Sequence, residues 1–187
     1  GYASDGGDSS AVAEKLTSGV VNIFATLNEG GSAFAALKSD GAVVTWGNSK
    51  HGGDSSAVAD KITSGVKTIF NNGFAFAAVK NDGSVVTWGV PTKGGDTSDL
   101  GDKLGGGVET ILSTWDAFAA LKHDGSVVTW GNSGYGGNSI AVASQLMDGV
   151  VHVFSNPGAF AALKEDGSVI TWGHVDWGGN STAVTSQ

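Results

Sequence analysis

Apolar residues along the chain cluster in short runs separated by Gly, Asp, Asn and Ser, and the clearest example is AFAALK-SDG-AVVTWG at residues 33–47. Two short apolar runs flank an Asp-Gly dipeptide there, which predicts a β-hairpin, because Gly accepts the positive φ that a tight connection requires. The same stretch returns at residues 75–89, 117–131 and 159–173, with Asp-Gly turns at 82–83, 124–125 and 166–167. Each hairpin follows a further short run, such as Val66 to Phe70, which predicts a third strand. The runs put apolar atoms on both faces of the strands, so the sheets they form are expected to be covered on both sides by their neighbours. Trp46, Trp88, Trp130 and Trp172 close the hairpins and are expected in the core, where burying each contributes roughly 1.5–3 kcal/mol or more.

Gly-Gly pairs at 52–53, 94–95, 136–137 and 178–179 set a period of 42 residues, and the first interval, from Gly6-Gly7, is 46. Its extra residues fall in ATLNEGGS, which is expected to be a surface connection, since loops absorb insertions and packed strands do not. After each pair the pattern GGDSSAVAEKL predicts a short helix with Val12 and Leu16 on one face. Asp8, Ser9 or Ser10 can cap it, and Asp8, Asp54, Asp96, Asn138 and Asn180 are read as caps rather than ligands. Interior glycines at 101 and 105–107 make the third copy the weakest. The expected fold is all-β, with tandem 42-residue repeats of three strands plus a short helix forming a β-propeller-like array, or alternatively an open solenoid-like stack. The chain reads as a single repeat domain over residues 1–187, with units at 6–51, 52–93, 94–135 and 136–177 and a partial fifth at 178–187. Such a unit cannot cover its own faces and needs neighbours. Residues 173–187 repeat the phase of residues 1–15, as expected of an open array, an excised piece of a longer parent chain, or a ring with an overlapping seam.

Composition narrows the function classes. The net charge is −8, all ten basic residues are Lys, and there is no Cys. An acidic, Arg-free surface argues against nucleic acid and anionic membranes as partners. No apolar run is long enough to predict a membrane span, and no thiolate metal site or disulfide is available. The chain begins on Gly with no visible leader, the expectation for a processed chain or an excised piece.

The Ala-rich strand, Asp-Gly turn and Trp-Gly ending resemble the repeats of the regulator of chromosome condensation family, and the resemblance covers all four units. It implies propeller-forming blades. Here the units are shorter and fewer than the family's. Asn48, Asn132 and Gly-Gly-Asp/Asn-Ser stand where the family has Asn followed by Gly-Gln-Leu-Gly. The shortened version looks like the tandem arrays found in very long proteins of bacteria and microalgae. The nucleotide-exchange and chromatin roles of the founding member are not implied, because no residues here match a motif for them.

The chemistry-bearing residues have plain structural readings. Asp in the hairpin turns is a turn former, and the spaced-carboxylate pattern of a calcium loop is missing. Lys38, Lys80, Lys122 and Lys164 are expected as edge-strand charges. His51, His123, His152 and His174 lack metal-pair spacing, no nucleophile or phosphate-loop pattern occurs, and neither catalysis nor a cofactor is expected. What breaks the repeat is informative: the links bearing Phe74, Trp115 and Asp116, and the residues before each Gly-Gly pair, Tyr135 and Trp177 among them. Loops that vary on a constant scaffold either drift freely or build a binding surface, where exposed aromatics are favoured. Two function classes follow. One is a noncatalytic module binding protein or glycan through Phe74, Trp115, Asp116, Tyr135 and Trp177; the other is a structural, self-associating array such as a surface filament or adhesin segment. An extracellular or cell-surface location is the expectation from acidity, absent Cys and the resemblance to long repeat proteins.

Overall fold

The computed structural model of the chain describes residues 5–28 and 30–180. The expectations placed on residues 1–4 and on residues 181–187 of the partial fifth repeat lie outside the described residues.

Strands β1 (Val20–Thr26), β2 (Ala33–Lys38) and β3 (Val43–Gly47) form the first antiparallel sheet. Strands β4 (Val66–Asn71), β5 (Ala75–Lys80) and β6 (Val85–Gly89) form the second, and β7 (Val108–Ser113), β8 (Ala117–Lys122) and β9 (Val127–Gly131) the third. The fourth holds β10 (Val150–Ser155), β11 (Ala159–Lys164) and β12 (Val169–Gly173). Strand order follows the sequence in each sheet, so the Ala-rich strand is central.

The Asp-Gly turn closes as the pattern predicts. In the first unit the Gly41 N–H donates to the Lys38 carbonyl and the Lys38 N–H to the Ala42 carbonyl, both at 2.9 Å. Gly41 sits at φ 79, the left-handed position of a three-residue hairpin loop. Asp40 Oδ1 accepts the Ala42 N–H at 3.0 Å, which fixes the bend. This register sets Phe34 opposite Trp46, and the pair recurs as Phe76 and Trp88, Phe118 and Trp130, and Phe160 and Trp172. The four pairs stack with centroids 5.2–5.3 Å apart.

Each sheet lays one face on the next. Ala33, Ala35 and Leu37 of β2 pack against Ile69, Phe76, Ala78 and Trp88 of the second sheet, and the same contact recurs between the second and third sheets and between the third and fourth. Alanines on the central strands of the first three sheets are fully buried and let the sheets approach closely, which explains the expected covering of both faces. Trp88, Trp130 and Trp172 are buried, whereas Trp46 is half-buried because no unit precedes it among the described residues.

The short helices of the pattern are present as 3-10 segments, Ser10–Leu16, Ser56–Lys61, Ser98–Leu104 and Ile140–Leu146. The third segment is broken at Gly101 (φ 56, ψ −132), the effect expected of its glycines. Two other readings are corrected. Asp8, Asp54, Asp96 and Asn138 are not the N-caps. They stand one residue earlier and accept the N–H two residues on, at 2.8–2.9 Å, while the capping positions Ser9, Ser55, Thr97 and Ser139 make no side-chain cap bond. Lys38, Lys80, Lys122 and Lys164 are not edge charges, because their strand is central. Their ammonium groups donate to the carbonyls of Lys15, Lys61, Lys103 and Gln145 at 3.0–3.3 Å, at the C-terminal ends of the 3-10 segments, where partial negative charge collects.

Candidate binding site on the loop face

The links between the first and second strands of each unit lie beside the residues that precede the Gly-Gly pairs, and one polar position in each unit holds them together. Thr26 accepts the Ala33 N–H at 3.0 Å and donates to the His51 carbonyl at 3.2 Å. Asn72 accepts from Phe74 and Ala75 and donates to the Lys93 carbonyl at 2.7 Å. Thr114 does the same between Ala117 and Tyr135, and Asn156 between Ala159 and Trp177. Thr and Asn alone occupy this place because each both accepts and donates. Sequence reasoning passed over this strut; its signal is the Thr or Asn standing seven residues before Ala33 in the long first loop and three before Ala75, Ala117 and Ala159.

Neighbouring links are also joined: the Gly73 N–H donates to the Trp115 carbonyl at 3.3 Å and the Trp115 N–H to the Pro157 carbonyl at 3.0 Å. Asn28 Nδ2 of the long first loop reaches the Gly73 carbonyl at 2.6 Å.

These bonds bring Phe74, Trp115, Asp116 and Tyr135 to one open cavity of about 630 Å³, lined also by Leu27, Asn28 and His51. His51 meets Phe74 edge-on at 5.6 Å, with its Nδ1 3.0 Å from the Gly31 carbonyl. Trp177 stands beside the cavity: its indole packs edge-on to Trp115 at 5.5 Å and covers Gly158 of its own unit. Trp115 is 55% exposed and Trp177 39%, so indole surface faces solvent.

Asp116 supplies the charge of the site. Its carboxylate is buried, pairs with the Lys93 ammonium, and accepts from Asn132 Nδ2 at 3.2 Å. The Lys93 ammonium also lies over the rings of Phe74, at 5.3 Å, and Tyr135, at 5.9 Å, where the negative ring faces attract a cation. Asp116 thus lines the cavity beside Phe74 and Tyr135, with its carboxylate paired to the Lys93 ammonium. Among the described residues no three His, Asp or Glu side chains converge on a possible metal position. No helix there is long and apolar enough to cross a membrane.

Four three-stranded antiparallel sheets packed face to face define a β-propeller-like class of repeat protein. Solved structures share the fold. Human WBSCR16 superposes with a TM-score of 0.53 at 18% identity, over 82% of this chain and 47% of that one. Prp20p from Saccharomyces cerevisiae gives 0.50 at 18% identity over 75% and 42% of the two chains, and yeast RCC1 (Prp20) bound to Kap60 gives 0.54 at 17% over 82% and 43%. These are propellers of the regulator of chromosome condensation type, and the chain spans under half the length of each. No protein-family model matches the chain, and no curated protein matches it by sequence.

Proposed function

We propose that this chain is a noncatalytic binding module that seats a segment of a protein partner in the loop-face cavity. The observation that carries the reading is the convergence of Phe74, Trp115, Asp116 and Tyr135, drawn from three links, on one cavity of about 630 Å³. Aromatic anchors flanking a buried charge are the composition of interface hot spots. The net charge of −8 favours a basic partner, by steering its approach. Protein binding is also what similar propellers do: Prp20p binds Gsp1p and histones, and yeast RCC1 (Prp20) has been seen bound to Kap60.

A displayed library of random peptides, half with Lys-rich and half with Glu-rich compositions, tests the reading. Selection of Lys-rich binders whose affinity falls at least tenfold in Trp115→Ala and Tyr135→Ala is expected. Binders unaffected by both substitutions, or none from either half, would overturn it. The exposed indole faces of Trp115 and Trp177 support a second reading, stacking of a sugar ring. A glycan array read with the intact chain and with Trp177→Ala separates the two. In either case the module would act outside the cell or on its surface, in keeping with its acidity and lack of Cys.

A further inference from the structure

The two ends of the sheet array are the halves of a contact that the molecule already makes three times. Ile69, Ile111 and Val153 are 2%, 1% and 7% exposed because each lies under the preceding sheet, whereas their counterpart Ile23 is 54% exposed. Phe34 and Trp46 on that face are likewise half-buried where their counterparts are buried. At the other end, Phe24, Phe70 and Leu112 pack against the following sheet, and their counterpart Phe154 is 57% exposed; Val169 and Ala161 beside it are uncovered relative to the same positions in earlier units. Backbone groups repeat the pattern. The Gly41, Gly83 and Gly125 carbonyls accept the N–H of Val66, Val108 and Val150 of the following unit at 3.0–3.1 Å. A Cβ at any of these three glycines would meet the next unit's backbone, while one at Gly167 would meet nothing within 4 Å.

We propose that the Ile23 face of the first sheet docks on the Phe154 face of the fourth sheet of a second copy of this chain, through the same contact that joins successive sheets within one copy. The occupant is identified by the internal interfaces: an Ile, a stacked Phe-Trp pair and a Val N–H present themselves at the first sheet, and the apolar positions with an open Gly carbonyl that receive such a set in three places present themselves at the fourth. The two faces are different, so the interface is head-to-tail, and it either closes into a ring of two copies or runs on as a filament.

Sedimentation velocity of the intact chain over a concentration series tests this. Assemblies that grow with concentration are expected, stopping at the dimer for a ring and continuing for a filament. Ile23→Glu and Phe154→Glu each charge one face. Both side chains are exposed in the single chain, so thermal melts at dilutions where the parent is monomeric should match, while each variant alone sediments as a monomer at every concentration. An equimolar mixture keeps one intact pair of faces and should yield a dimer and nothing larger. A parent chain that stays monomeric at the highest concentration, association that survives either substitution, or a mixture that stays monomeric would overturn the proposal.

Discussion

The indole N–H of Trp88 donates to the carbonyl of Gly52 at 3.1 Å, a bond that ties the end of one hairpin to the Gly-Gly pair 36 residues earlier. Trp130 and Gly94, and Trp172 and Gly136, repeat it at the same distance. The left-handed Gly52 lets the backbone come this close, for a Cβ there would lie 2.6 Å from the Phe76 ring. Burial of the ring and satisfaction of its one polar atom are thus achieved together. Trp88→Ala or Trp130→Ala should cost about 3–5 kcal/mol, and Trp88→Phe, which keeps most of the ring, about 1–2 kcal/mol for the lost bond and volume. Trp46→Ala should cost less than either, because that indole is half-buried. Urea unfolding of the four variants checks the order.

Gly83 and Gly167 occupy the same turn position, at φ 76 and φ 83. Alanine at either carries the left-handed penalty of roughly 1–2 kcal/mol. At Gly83 its Cβ would also lie 2.7 Å from the Gly107 nitrogen of the next unit, whereas at Gly167 it would meet open space. Gly83→Ala should therefore destabilise clearly more than Gly167→Ala, and hydrogen exchange should show the excess at the junction of the second and third sheets. Equal losses would contradict the packing described for that junction.

Lys93 and Asp116 differ in exposure, the ammonium being the more open of the two. Lys93→Met leaves the Asp116 carboxylate buried with only Asn132 as side-chain partner. A loss of about 1–3 kcal/mol is expected. Pairing it with Asp116→Leu should restore a good part of that loss, because the unpaired charge is then gone. A double-mutant cycle by thermal melting reads the coupling.

Asp82, Asp124 and Asp166 have pKa values lowered first by the hydroxyl of the Ser two residues on and then by its N–H. A carboxyl with a lowered folded pKa binds protons less tightly when folded than when unfolded. The stability it supplies is complete above its ordinary value of 3.8 and is lost as pH falls through the depressed one. Asp82→Asn, Asp124→Asn and Asp166→Asn keep the acceptor and remove the titration, so the combined variant should lose less stability between neutral pH and pH 3 than the parent. A parallel acid limb in the two proteins would refute this.

The hairpins were readable because their determinants are local: an Asp-Gly at the turn, β-branched runs around it, and a fixed spacing to Trp. Packing between sheets was readable from small and apolar residues on both strand faces. What escaped was set by partners distant in sequence. Lys38 looks like an edge charge until the strand order places it at the centre, beside the carbonyl of Lys15. The bond from Trp88 to Gly52 spans a whole unit and leaves no short-range mark. Phe74, Trp115, Asp116 and Tyr135 stood out as departures from the repeat, yet their meeting in one cavity depends on the struts at Thr26, Asn72 and Thr114, which look like ordinary loop residues.

Those struts hold carbonyl oxygens and backbone N–H groups, never the side chains of the positions they fix. The support at 51, 93, 135 and 177 is made through the backbone carbonyl, so it does not itself dictate which side chain stands there, and the loop face can be rewritten letter by letter where no buried partner such as Asp116 depends on that side chain. Duplication of the unit then adds new writing space, and selection can act on one letter without refolding the page.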